Sequence, residues 1–154
     1  MKGKENLEKY LRTNKVPFQV QHHPLAYTAQ EIAASEHLPG KMLAKVVMVM
    51  ADGELVMLAV PAPEIINMND VAAALGAKEI RLAHEDEFVG AFPDCEVGAM
   101  PPFGNLYSLP VYVDKTLAED ETIVFQAGTH TYTMSMKYAD FAKLVQPKVA
   151  EFSR

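Results

Sequence analysis

Hydrophobic positions repeat at two different periods along this chain, and the changes of period mark its elements. Leu7, Tyr10 and Leu11 stand at i, i+3 and i+4 in ENLEKYLRTN, one face of a helix over residues 5–14 that Asn14 and Pro17 close. Phe18 and Val20 then alternate with polar neighbours in PFQVQ, the period of a short strand. Thr28 and Glu31 make a capping box, the hydroxyl accepting from the third helical N–H while the carboxylate reaches back. The helix it starts, AQEIAASEHL, stops at Pro39-Gly40.

The next stretch is apolar without alternation. LAKVVMVMA (43–51) is interrupted only by Lys45, and ELVMLAV (54–60) follows across Asp52-Gly53, a strong signal for a tight β-hairpin. Neither run alternates, so both faces of the hairpin are expected to be covered. Asn69 is expected to cap a short helix, DVAAAL. KEIRLA (78–83) reads as a strand with one wet face, and HEDEFVGAF as an acid-started helix ending at Pro93. GAMPPFGN (98–105) is a Gly/Pro loop. VYVD (111–114), TIVFQ (122–126) and TYTMSM (131–136) are further strands, the last two joined by a tight turn. A final helix, 137–145, buries Tyr138, Phe141, Leu144 and Val145. Hairpins mixed with single helices predict one mixed α/β (α+β) domain over residues 1–154, a curled mixed or antiparallel sheet or barrel flanked by helices.

Composition narrows the function classes. The 154 residues are 49% hydrophobic and carry a net charge of −6, which suits a globular fold and argues against coating nucleic acid by bulk charge. The charge divides unevenly, a net +3 over residues 1–50 against −9 over the rest. That split reads either as chance placement on wet faces or as a local basic approach to an anionic partner. The single cysteine, Cys95, excludes an internal disulfide and suits a reducing, cytoplasmic setting. Its acidic neighbours oppose the thiolate, so an inert thiol is expected. No apolar run is long enough to span a membrane, and no membrane partner is expected. Five histidines show no metal-ligand spacing, and no phosphate loop, dinucleotide fingerprint or GxSxG elbow occurs, so neither metal nor cofactor is expected.

Three features with chemical potential remain. Lys45 is the one charge in its strand, and it either snorkels to water at the strand's start or holds a cation at the mouth of an apolar pocket. The loop Gly98-Ala99-Met100-Pro101-Pro102 is either a stiff connection or a rigid presentation of amides to an anion or oxyanion. Gly128 and His130 form either a wet turn or a pocket wall.

Taken together, the Lys45 strand with its Asp-Gly hairpin, FPDCEVGAMPPFGNLY, and AGTH followed by MKYADF resemble the YbaK/EbsC family, also called the prolyl-tRNA synthetase associated domain. The resemblance runs from about residue 5 to 150. It implies a free-standing trans-editing hydrolase that cleaves the ester of a mischarged aminoacyl-tRNA, carrying a small amino acid on tRNA(Pro), by a positioned water. It implies that Lys45 is the functional lysine, that Gly98, Ala99, Met100, Pro101 and Pro102 bind substrate, and that Gly128 and His130 help select the amino acid. Tyr27 and Thr28 border the pocket on the same resemblance, and Val46 stands where many relatives have a small polar residue. The implied partner is the 3′ end of an aminoacyl-tRNA, with a synthetase open as a second partner and no DNA. The competing reading is a non-catalytic module that binds a tRNA end or a synthetase.

Overall fold

The computed structural model describes residues 2–25 and 40–153; the predicted capping box, its helix, Tyr27 and Thr28 lie outside them. Helix α1 (Gly3–Thr13) buries Leu7 and Leu11 and turns a charged face outward. At its partly covered flank Glu8 accepts from Lys4 at 2.9 Å and from Arg12 at 3.2 Å, spacings that support a helix locally. Its end is closed by the Asn14 amide, which donates to the Tyr10 carbonyl at 2.8 Å. Strand β1 (Gln19–His22) follows and is exposed along its length.

The hairpin forms as its dipeptide predicts. Strands β2 (Ala44–Ala51) and β3 (Glu54–Pro61) pair antiparallel from Ala51↔Glu54 to Ala44↔Pro61. Asp52 and Gly53 both have positive φ, 50° and 82°, the requirement of the turn whose twist matches a two-residue hairpin. The Asp52 carboxylate also accepts from the amides of Lys78 and Glu79, tying the tip to β4 (Ile80–Leu82). Both faces are covered. Ala44, Met48, Met57 and Ala59 enter one apolar cluster, Val49, Val56, Leu58 and Val60 a second.

Helix α2 (Met68–Leu75) lays Val71 on that second cluster. Its cap is Asn67, whose Oδ1 accepts from the Asp70 amide at 2.9 Å, and not the expected Asn69. The helix starts earlier because Asn67 is itself held by the chain's end, its amide donating to the Phe152 carbonyl at 2.9 Å. In β4 the predicted alternation buries little, since Leu82 remains 56% exposed on a three-residue edge strand. The acid-started helix is a single α turn, α3 (Glu85–Phe88), continued by a 3-10 turn to Ala91.

The remaining elements are β5 (Val111–Asp114), α4 (Lys115–Ala118), β6 (Thr122–Gln126), β7 (Tyr132–Lys137), α5 (Tyr138–Val145) and β8 (Lys148–Ala150). They divide between two sheets. One has five strands, ordered β4-β2-β3-β5-β8, with β5 parallel to both β3 and β8; the other has three antiparallel strands, β1-β7-β6. A parallel bridge between Leu43 and Val124 joins them. Phe103 packs edge-on against Phe125 and Phe141, at 5.4 and 5.3 Å between centroids, which anchors the end of the Gly/Pro loop in the main core. No helix among the described residues is long and apolar enough to cross a membrane.

Candidate active site

The Gly/Pro loop and the β6–β7 turn, distant in sequence, are held face to face by backbone. Glu96 donates its amide to the Gly128 carbonyl at 2.8 Å, and Gly128 donates its own to the Ala99 carbonyl at 2.9 Å. The turn is closed by Ala127 donating to the Tyr132 carbonyl. Gly98 and Gly128 have φ of 84° and 90°, a region that side chains disfavour, so glycine lets both segments bend into this pairing.

His130 closes the arrangement from the side. Its Nε2 lies 2.8 Å from the Val97 carbonyl, and a carbonyl only accepts, so this nitrogen carries the proton. In the neutral ring Nδ1 is then the acceptor. The His130 amide donates to a Glu96 carboxylate oxygen at 3.3 Å. The ring stands over Gly98, where an added Cβ would meet Cε1 at 3.6 Å.

Within the loop the donors divide clearly. Pro101 and Pro102 have no N–H, and the Ala99 amide is used by the Glu96 carbonyl at 3.1 Å. The amides of Gly98 and Met100 make no hydrogen bond among the described residues. Ala99, Met100, Pro101 and Pro102 are buried and Gly98 is exposed, so the loop is a fixed wall with an open lip.

Lys45 sits on β2, on the face of Val47 and Val49. Its ammonium donates to the Glu64 carbonyl at 2.7 Å, in the turn that follows β3. Partial burial lowers its pKa, and the Glu64 carboxylate opposes that shift. Among the described residues it makes no hydrogen bond to residues 96–102 or 128–130. The structure thus brings Gly98, Ala99, Gly128 and His130 together and holds Lys45 by a separate contact.

Sequence reading missed the residues behind this pairing. Asp94 accepts from the Gly3 amide at its backbone carbonyl (2.7 Å), from Asn6 at Oδ2 (2.9 Å) and from the Tyr107 hydroxyl at Oδ1 (2.8 Å). Burial would raise its pKa, but these side-chain donors outweigh it and hold the carboxyl below its usual range. The Cys95 thiol beside it lies 3.3 Å from the Tyr107 hydroxyl, and burial, reinforced by the Asp94 charge, pushes it up to about 11. Both effects disfavour the thiolate, the reactive form. Asp94 and Asn6 are 88 residues apart, and no local motif links them. Among the described residues no group of three His, Cys, Asp or Glu could hold a metal ion.

Comparison with known proteins gives this geometry a context. A family model described as the aminoacyl-tRNA editing domain matches residues 23–144. The Multifunctional Ser/Thr-tRNA deacylase ProXp-y of Escherichia coli, in strains K12 and O157:H7, is 30% identical over 89 residues, 57% of this chain and 53% of that protein. The chain therefore spans about half the length of these curated relatives. A crystal structure of a protein provisionally named a trans-editing enzyme for prolyl tRNA synthetase superposes with a TM-score of 0.86 at 18% identity, covering 100% of this chain and 98% of that one. A hypothetical protein matches with a TM-score of 0.86 at 19% identity, over 96% and 99% of the two chains. At these identities the two structures establish the mixed α/β fold.

Proposed function

The chain belongs to the aminoacyl-tRNA editing domain family, and from that premise we propose that it is a deacylase that hydrolyses the ester of a mischarged aminoacyl-tRNA. The observation that carries the reading is the pairing of residues 96–99 with 128–130, which holds the loop while leaving the Gly98 and Met100 amides without a hydrogen bond among the described residues. An aminoacyl ester is already activated, so its hydrolysis needs a placed water and donors for the developing oxyanion rather than a nucleophilic side chain. In this reading the two amides take the carbonyl oxygen as it becomes charged. Such a donor is worth about 2.7–4 kcal/mol of barrier. Lys45 supplies a cation for the terminal phosphate or the ester, and releases the Glu64 carbonyl to do so. The vicinal hydroxyl of the substrate's ribose orients the water.

The substrate is a small amino acid, with tRNA(Pro) as the carrier and a synthetase as the source of the mischarged product. The relative named a Ser/Thr-tRNA deacylase supports placing serine and threonine beside alanine and cysteine among the candidates. A hydrophobic pocket distinguishes one methylene by only about 1–3 kcal/mol, which is why small amino acids need a second check. The deciding experiment incubates the protein with tRNA(Pro) charged with alanine, cysteine, serine, threonine or proline and follows ester loss. At least one non-cognate ester is cleaved faster than prolyl-tRNA, and Lys45→Ala abolishes that cleavage in a folded protein. Binding without turnover on every charged tRNA overturns the reading in favour of a non-catalytic module.

A further inference from the structure

Helix α1 lies outside the family match, which begins at residue 23, yet it touches both halves of the paired site. Gly3 packs so closely that an added Cβ would stand 2.6 Å from the Asp94 carbonyl oxygen and 2.9 Å from the Cys95 sulfur. On the opposite segment, a Cβ at Gly128 would meet the Lys4 amide nitrogen at 3.3 Å and the Gly3 carbonyl carbon at 3.4 Å. The first turn of α1 is therefore wedged between the segment entering the loop and the glycine that pairs with it. The wedge is held by hydrogen bonds to one residue, Asp94, from the Gly3 amide and the Asn6 side chain. Tyr107 clamps the same carboxylate from the far side of the loop. Two residues beyond Asp94 the chain makes its pairing with Gly128, and four beyond comes Gly98.

We propose that Asn6 and Asp94 are positioning residues for deacylation, acting through α1 to set where the Gly98 and Met100 amides stand. The inference rests on the deacylase reading above. Neither residue lies in the segments 96–102 or 128–130 that form the paired wall. Their bond fixes the entrance of the loop, and a loop whose donors act on the developing oxyanion influences kcat rather than substrate affinity.

The test exploits the chemistry of the pair. Asn6→Asp puts two carboxylates at hydrogen-bond distance, and their repulsion drives the α1 turn from Asp94. In Asp94→Asn alone the Asn6 amide can turn over and accept from the new amide, so this variant serves as the reference for the double one. In the double variant, Asn6→Asp with Asp94→Asn, the new amide donates to the new carboxylate while its oxygen still accepts from Tyr107. A misplacement of about 1 Å at a reacting centre can cost about a hundredfold, so a shift of about half that in Asn6→Asp lowers kcat by about tenfold with KM within about twofold. The double variant recovers to within about threefold of wild type. The amide resonances of Gly98 and Gly128 move in Asn6→Asp and return in the double variant. Asn6 is exposed, so a general loss of fold is not expected, and thermal melts verify it.

Unchanged kcat in Asn6→Asp, or a double variant as slow as the single one, overturns the proposal. A wild-type protein that cleaves no charged tRNA removes the deacylase reading instead. In that case the glycine resonances decide: their failure to move refutes the coupling between α1 and the loop.

Discussion

Replacing Gly128 and Gly98 separately by alanine distinguishes a conformational cost from a steric one. Both glycines have φ near 90°, so each alanine incurs about 1–2 kcal/mol of left-handed backbone strain. The surroundings differ. At Gly98 the new methyl meets only the edge of the His130 ring at 3.6 Å, ordinary van der Waals contact, and strain is the whole cost. At Gly128 it meets backbone atoms of Lys4 and Gly3 at 3.3 and 3.4 Å. Those atoms cannot retreat, because Gly3 is bonded to the Asp94 carbonyl at 2.7 Å. Overpacking against an immovable wall adds about 1–3 kcal/mol. For a domain of this size about 1 kcal/mol shifts Tm by about 2–4 °C, so Gly98→Ala lowers Tm by about 2–8 °C and Gly128→Ala by several degrees more. Circular-dichroism melts of the three proteins, with deacylation measured in parallel, make the comparison. Equal Tm losses, or a larger loss at Gly98, refute the argument that α1 is rigidly wedged against the turn.

Other consequences can be checked with standard assays. Cys95, whose thiol is pushed from 9.0 up to about 11, reacts with a thiol reagent at pH 8 about a hundredfold more slowly in the folded protein than after denaturation. Asn67→Ala costs about 1 kcal/mol in denaturant melts, whereas Asn69→Ala is nearly neutral, since only Asn67 caps α2. Asp114, 1% exposed, accepts from the amides of Phe152 and Ser153 at 2.9 and 3.0 Å and from Thr116; burial pushes its pKa up, but these donors outweigh it and hold the carboxyl below 3.8. Its folded pKa being lower than its unfolded one, the stability it adds is present above about pH 4 and is lost as pH falls through the folded value. Asp114→Ala therefore costs at least about 2 kcal/mol at pH 7, and its difference from wild type shrinks in acid.

Legibility followed the range of the interactions. The β2–β3 hairpin was readable because its signal is local: two apolar runs and a dipeptide whose residues tolerate positive φ. Its two-sided burial was readable from the missing alternation. The cap of α2 was not, because INMND offers two asparagines and the choice between them is made by the Phe152 carbonyl, 85 positions further on. Strand β8 was invisible for a similar reason. Three residues, KVA, carry no period, and they form a strand only because β5 supplies an edge for parallel pairing. The partition into two sheets also lay outside the pattern, since a period of two says which face a residue occupies and nothing about its neighbour strand.

The site shows the same division at finer scale. Gly98, Gly128 and His130 stood out as residue types suited to a rigid turn and a hydrogen-bonding wall, and the structure brings them together. What joins them is main chain: the amide of Glu96 and the carbonyls of Val97, Ala99 and Gly128 would serve equally well beneath many side chains. A pairing made by backbone leaves little trace in composition. It leaves a trace in what must be absent, since Gly3 and Gly128 mark where a methyl group would separate α1 from the segment entering the loop and from the β6–β7 turn. The charge asymmetry gains a location by the same route. Lys2, Lys4, Lys9, Arg12 and Lys15 supply most of the positive charge of the first fifty residues, and all lie on or beside α1, the helix wedged against the site. Glu8 pairs with both Lys4 and Arg12, so the remaining positive charge is modest. A helix of that kind can steer one phosphate-bearing strand end without gripping a duplex, so the net acidity of the chain does not argue against the proposed substrate.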